Sequence, residues 1–123
     1  MKLLRVGQKG SEKPAIMDKH GKIRDISSHI IDLNPDFLNF ETFAKLQNAD
    51  LSNLPELSSN ERIGSCITSP RKFIAIGLNY SDHAAEVGAD IPKEPIVFMK
   101  ATSCIVGPND DVEIVSGSKK LDW

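Results

Sequence analysis

Lys72-Phe73-Ile74-Ala75-Ile76-Gly77-Leu78-Asn79-Tyr80-Ser81-Asp82-His83-Ala84-Ala85-Glu86 is the stretch whose reading decides the fold. Four apolar residues, Phe73 to Ile76, lead to a Gly/Asn/Ser turn and then to a short run of helix formers. The pattern therefore reads as strand, turn and helix. Ser81 is placed to cap the helix, Asp82 suits its positive end, and Gly88 can stop it in a left-handed turn. His83 and Glu86, three positions apart, share one face of that helix. An imidazole titrates near neutral pH and a carboxylate beside it can orient it, so the pair can move protons. A His and a Glu on a short exposed helix also read as a solvated face, and the residues alone leave both readings open.

Working outward, Pro95-Ile96-Val97-Phe98-Met99 forms a second apolar run that ends at Lys100, and Val112 to Val115 reads as a third, weaker strand. Continuous rather than alternating apolarity predicts a sheet buried on both faces. Lys100 at a strand end could hold a substrate carboxylate or simply mark the surface. Tyr80, in the turn, could lean its ring over a pocket, while Asn79 tolerates the left-handed conformation.

Upstream, Leu3-Leu4-Val6, Ala15-Ile16-Met17 and the segment of Ile23 and Ile26 read as short strands joined by tight turns. Asp18-Lys19-His20-Gly21 reads as a hairpin turn pairing Ala15–Met17 with Lys22–Arg24, Gly21 supplying the positive φ. Asn39 is placed to cap a helix over Phe40–Leu46, with Phe40, Phe43 and Leu46 facing a small core. From Asn48 to Asn60 an irregular connection is expected to tack Leu51, Leu54 and Leu57 onto a surface. A boundary near Ser69-Pro70 divides a small N-terminal domain, 1–70, from a second segment, 71–123.

The composition fits one soluble globular domain, or one small domain and part of another. The chain has 123 residues, 40% hydrophobic and 26% charged, too few for two full domains. A net charge of -2 from 15 basic and 17 acidic residues supplies no field to gather nucleic acid or an anionic membrane. Cys66 and Cys104 sit in no metal-binding spacing and are expected to be buried free thiols. His20 and His29 read as surface residues. There is no phosphate loop, no apolar run of membrane-spanning length and no signal-like start, which points to the cytosol.

The stretch Gly77 to Glu86 resembles the G-x-N-Y-x-x-H-x-x-E signature of the fumarylacetoacetate hydrolase family. Pro92 to Lys100 resembles the same family's P-x-x-P-x-x-F-x-K segment. Gly107-Pro108, Gly117-Ser118 and Asp122-Trp123 sit where that family has its next landmarks, although Val115-Ser116-Gly117 lacks the proline common before the glycine. The opening Met1–Arg5 with Gly7, Gly10 and Glu12-Lys13-Pro14 is similar to the subgroup of ureidoglycolate lyases and 2,4-diketo-3-deoxy-sugar-acid hydrolases.

The resemblance implies an α+β fold, mostly β, in which a small N-terminal β/α domain is followed by the start of a mixed β-roll catalytic domain. It implies a homodimeric enzyme acting on a small 2-oxo, 2,4-dioxo, ureido or hydroxy acid. Mg²⁺, or Mn²⁺, would be held by an E-x-E pair and a later Asp beyond residue 123. No metal ligand is therefore assigned within the chain, which is expected to be inactive alone. His83 and Glu86 correspond to the catalytic dyad, and Lys100 and Tyr80 are candidate substrate contacts. An oxaloacetate decarboxylase or a keto-enol isomerase of the same family, or a non-catalytic assembly domain, are the alternative readings.

Overall fold

The computed structural model describes residues 1–120, which form two compact units. One comprises Met1–Thr68 with the chain from Val106 onward, and the other Ser69–Ile105. The described elements are mixed and sheet-dominated with two α-helices, in keeping with the α+β expectation.

The first unit is built on an antiparallel meander of β1 (Lys2–Val6), β2 (Lys13–Met17), β3 (Ile23–Asp25) and β4 (Glu56–Leu57), in that spatial order. The turn between β2 and β3 is set by one carboxylate. Asp18 accepts from the backbone N–H groups of His20 (2.8 Å) and Lys22 (3.0 Å), and Gly21 sits at φ +79. Lys22 is thus held in the turn, and Met17 pairs with Ile23 and Ala15 with Asp25. This shifts the expected partner segment by one residue. Helix α1 (Phe40–Asn48) starts at the expected cap, with Asn39 Oδ1 accepting from the Thr42 amide at 2.9 Å. Leu46 is buried, but Phe40 is 95% exposed, because as the first helical residue it precedes the turns that lie over the core.

The core gathers Ile16, Ile26, Ile30, Leu33 and Leu46, flanked by Leu3, Phe37, Leu38, Leu51 and Leu54. A second cluster, Val6, Ala15 and Ile23, packs with Leu4 and Leu57. The three spaced leucines are therefore tacked down as expected. Leu57 does so as part of β4, a strand too short to show in the sequence.

Beside this core lies a chain of ion pairs. Arg5 on β1 is bidentate to Asp32 at 2.7 and 3.0 Å and reaches Glu12 at 3.3 Å. The other oxygen of Glu12 accepts from Arg62 at 2.7 Å, and Arg62 is bidentate to Asp110 at 2.7 and 2.6 Å. Arg5 and Glu12 are the most enclosed members of this part-buried cluster, and stripping one partner leaves the other's charge uncompensated. Two glycines allow the close approach. A methyl on Gly64 would meet Glu12 Oε1 at 2.8 Å, and one on Gly107 would collide with the Ile63 carbonyl oxygen.

The second unit is a two-stranded antiparallel ribbon of β5 (Phe73–Gly77) and β6 (Ile96–Lys100), joined through helix α2 (Ser81–Glu86). The expectation of a sheet buried on both faces is not met. Ile74, Ile76, Val97, Phe98 and Met99 are all exposed, because a ribbon of two strands has no neighbouring layer of its own to cover either face. Nor is there a strand at 112–115, where Val112, Ile114 and Val115 are exposed and paired with no other strand among the described residues. Cys66 and Cys104 are both exposed rather than buried.

Two measurements follow from these contacts. The hydrogen bonds from Arg62 and from the Gly107 amide hold the Asp110 carboxyl down at about 2, against an ordinary 3.8. A carboxylate depressed in the folded state stabilises it above its unfolded pKa and loses that contribution as pH falls. Urea unfolding followed by circular dichroism is therefore expected to give a flat stability above about pH 4 and a decline toward about pH 2, made shallower by Asp110→Asn. An unchanged acid decline in that variant contradicts the clamp. The bare apolar ribbon should also drive self-association, so the light-scattering mass of the 123-residue chain is expected to rise with concentration. A constant monomer mass would show the ribbon is covered.

Candidate functional site

Helix α2 leaves the ribbon through a turn whose backbone departs from the sequence expectation. Leu78, not Asn79, takes the left-handed conformation, at φ +47. Left-handed backbone is costly for a residue with a Cβ, and a branched side chain there marks a strained turn. It ends β5 at Gly77 and swings the chain so that Tyr80, in extended conformation (φ -122, ψ 130), becomes the N-cap. Ser81, expected as the cap, is the first helical residue instead. No side chain caps this end, but Asp82 accepts from the His83 amide at 2.9 Å. Gly88, at φ +67, closes the helix in the expected left-handed turn.

On this two-turn frame His83 Nδ1 faces Glu86 Oε2 at 3.4 Å. The side chains remain open to solvent, 56% and 79% exposed. Together with Tyr80 and Asp82 they line a shallow depression of about 450 Å³. Three of the four expected site residues, Tyr80, His83 and Glu86, are thus brought together by α2 and its cap. The His–Glu contact is at the long end of hydrogen-bond range, as is common before a ligand tightens a proton-transfer pair.

Lys100 is not with them. The antiparallel register puts Lys100 opposite Phe73, where β5 begins, and Ile96 opposite Gly77, where β5 ends and the turn to α2 follows. At a rise of about 3.3 Å per residue, the two ends of the ribbon lie roughly 13 Å apart. The sequence shows that Lys100 ends an apolar strand, but only the pairing direction shows which end of its partner it meets.

A second depression, of about 280 Å³, lies at the α2 end of the ribbon. Ile76, Leu78 and Asn79 form one side, and Ile91, Lys93 and Pro95 the other. The sequence reading missed this wall, because Ile91–Pro95 carries no motif that marks it as anything but a connection.

Among the described residues no three His, Cys, Asp or Glu side chains gather so as to hold a metal ion. Glu12, Asp32 and Asp110 do gather, but around the two arginines that pair with them. The described segment therefore does not fit a divalent-cation site of the kind the family resemblance implies. The landmark pair Asp122-Trp123 lies outside the described residues. No helix among those residues is long and apolar enough to cross a membrane.

Comparison with known proteins places these residues in context. Residues 72–123 match the family model described as fumarylacetoacetate (FAA) hydrolase C-terminal. Over 123 residues the chain is 54% identical to proteins named "Putative hydrolase" from Burkholderia lata and Burkholderia ambifaria. It spans 44% of the length of each. The crystal structure of a "putative HpcE protein" from Mycobacterium smegmatis superimposes with a TM-score of 0.72 at 28% identity, covering 96% of this chain and 42% of that one. The chain thus spans less than half of the proteins it matches, and its fumarylacetoacetate hydrolase match falls on the segment that carries Tyr80, His83, Glu86 and Lys100.

Proposed function

We propose that this chain is the first part of a metal-dependent hydrolase or lyase of the fumarylacetoacetate hydrolase family, acting on a small 2-oxo, 2,4-dioxo, ureido or hydroxy acid. The observation that carries the proposal is the His83–Glu86 pair on a short helix at the end of β5, inside the stretch that matches the family model. The hydrolase names of the longer Burkholderia relatives support the same class of reaction.

In this reading Glu86 orients the imidazole through Nδ1 and stabilises the cation formed when His83 accepts a proton at Nε2. The pair then acts on a water, or on a substrate carbon, lying in the depression beneath Tyr80. The solvent exposure of both side chains fits a helix that acts as a lid, closing over substrate to exclude water and complete the pair. A bound Mg²⁺ or Mn²⁺ would supply Lewis-acid stabilisation of an enolate. Its oxygen ligands would come from chain beyond residue 123, and the active unit would be a homodimer in the cytosol. Among the subgroups, ureidoglycolate lyase and 2,4-diketo-3-deoxy-sugar-acid hydrolase fit the opening motif best.

The test uses the chain extended to the length of its relatives. His83→Ala is expected to lower kcat on an acylpyruvate by about 10²–10⁴, the usual worth of a positioned proton-transfer group, while Mg²⁺ affinity stays within about twofold. A parallel loss of Mg²⁺ affinity would assign His83 to the metal instead.

A further inference from the structure

We infer that Lys93 is the cation that receives the carboxylate of the substrate, in a subsite formed by the two chain segments that leave the α2 end of the ribbon. The inference rests on the proposed function for its ligand class, a small 2-oxo acid, but on separate observations for the site. Gly77 pairs with Ile96, and this pairing closes the ribbon at the end from which Leu78–Tyr80 runs toward α2. The segment Ile91–Pro95 enters at the same end. The two segments face each other across the second depression, with Ile76, Leu78 and Ile91 as aliphatic wall and Lys93 as the cation.

The chemistry of this recess suits a short acid with an apolar tail. Lys93 is itself exposed at the rim of the recess, so it offers a carboxylate a solvent-accessible charge while the aliphatic wall offers surface for the rest of a short acid. Lys93, like Lys100, makes no ion pair or hydrogen bond within the described residues, whereas Lys13, Lys22 and Lys45 are each paired, so it is position and not pairing that separates the two candidates. The charge of Lys93 is available to a ligand. Pro92 and Pro95 fix φ on either side and limit how far the loop can carry it.

The continuity of the chain links the subsite to the dyad. Asn79, on the wall of the second depression, is followed by Tyr80, on the wall of the first. A carboxylate on Lys93 would lie on the α2 side of the ribbon, whereas one on Lys100 would lie at the opposite end. Glu94 also lines the recess and opposes an anion, so its removal should favour binding.

The test is pyruvate, the minimal 2-oxo acid, titrated by saturation-transfer NMR into the relative-length protein. Lys93→Met is expected to weaken binding about 10-fold, the loss of one charge-assisted contact. Lys93→Arg should restore most of it, Glu94→Gln should tighten it, and Lys100→Met should change it less than about twofold. Pyruvate that fails to bind the parent protein, or binds Lys93→Met as tightly, overturns the inference, as does a loss carried by Lys100→Met. His83→Ala assayed in parallel separates the two claims: full kcat in that variant sinks the catalytic reading, while a Lys93-dependent Kd still establishes the carboxylate site.

Discussion

One carboxylate, Glu12, is gripped from two sides. Its oxygens accept from Arg5, rooted in β1, and from Arg62, which in turn clasps Asp110. Burial alone would raise the Glu12 carboxyl. The hydrogen bond from Arg62 and the charge of Arg5 more than offset this and hold it below its ordinary range. The consequence is mechanical. Residues distant in sequence, 5, 12, 32, 62 and 110, are held at one place, and the chain after Val106 is tied to the same sheet as the chain's first strand. The hydrophobic clusters could tolerate exchange among aliphatics of similar volume. The ion chain is less forgiving, because removing one partner leaves another charge without its counter-ion, and a side chain at Gly64 or Gly107 would run into Glu12 or the Ile63 carbonyl.

The ribbon unit has the opposite character. Its residues are held by one strand pairing, its faces are apolar and open, and its turn stores strain at Leu78. Strain of that kind, on the order of 1–3 kcal/mol, persists where surroundings over-determine a conformation, and it collects where chains must aim functional groups. Here the turn leads directly into Tyr80 and the helix that carries His83 and Glu86, the residues of the proposed site. The relatives it matches are more than twice its length, and the ribbon's open apolar faces are of the kind that a further layer would cover.

The local features were legible in the sequence because each depends on neighbours a few residues away. The Asp18–Gly21 turn, the Asn39 cap, the Gly88 stop and the His83–Glu86 spacing all follow from short-range backbone chemistry. What was not legible depends on distance in sequence or on who covers whom. The Arg62–Asp110 pair spans 48 residues, and nothing in either neighbourhood announces it. β4 is two residues that become a strand only because β3 lies alongside. The apolar runs of β5 and β6 read as doubly buried, yet burial belongs to the covering layers and not to the run itself. Lys100 was identified as a strand end, but the register that sets it away from the dyad exists only between strands.

The central claim is that His83 and Glu86 work as a unit. A double-mutant cycle on kcat in the relative-length protein addresses it directly. Groups acting together are strongly non-additive, so the variant carrying both His83→Ala and Glu86→Ala is expected to lose about as much activity as His83→Ala alone. Losses that multiply across the two substitutions would mean that each side chain acts separately, and would contradict the account.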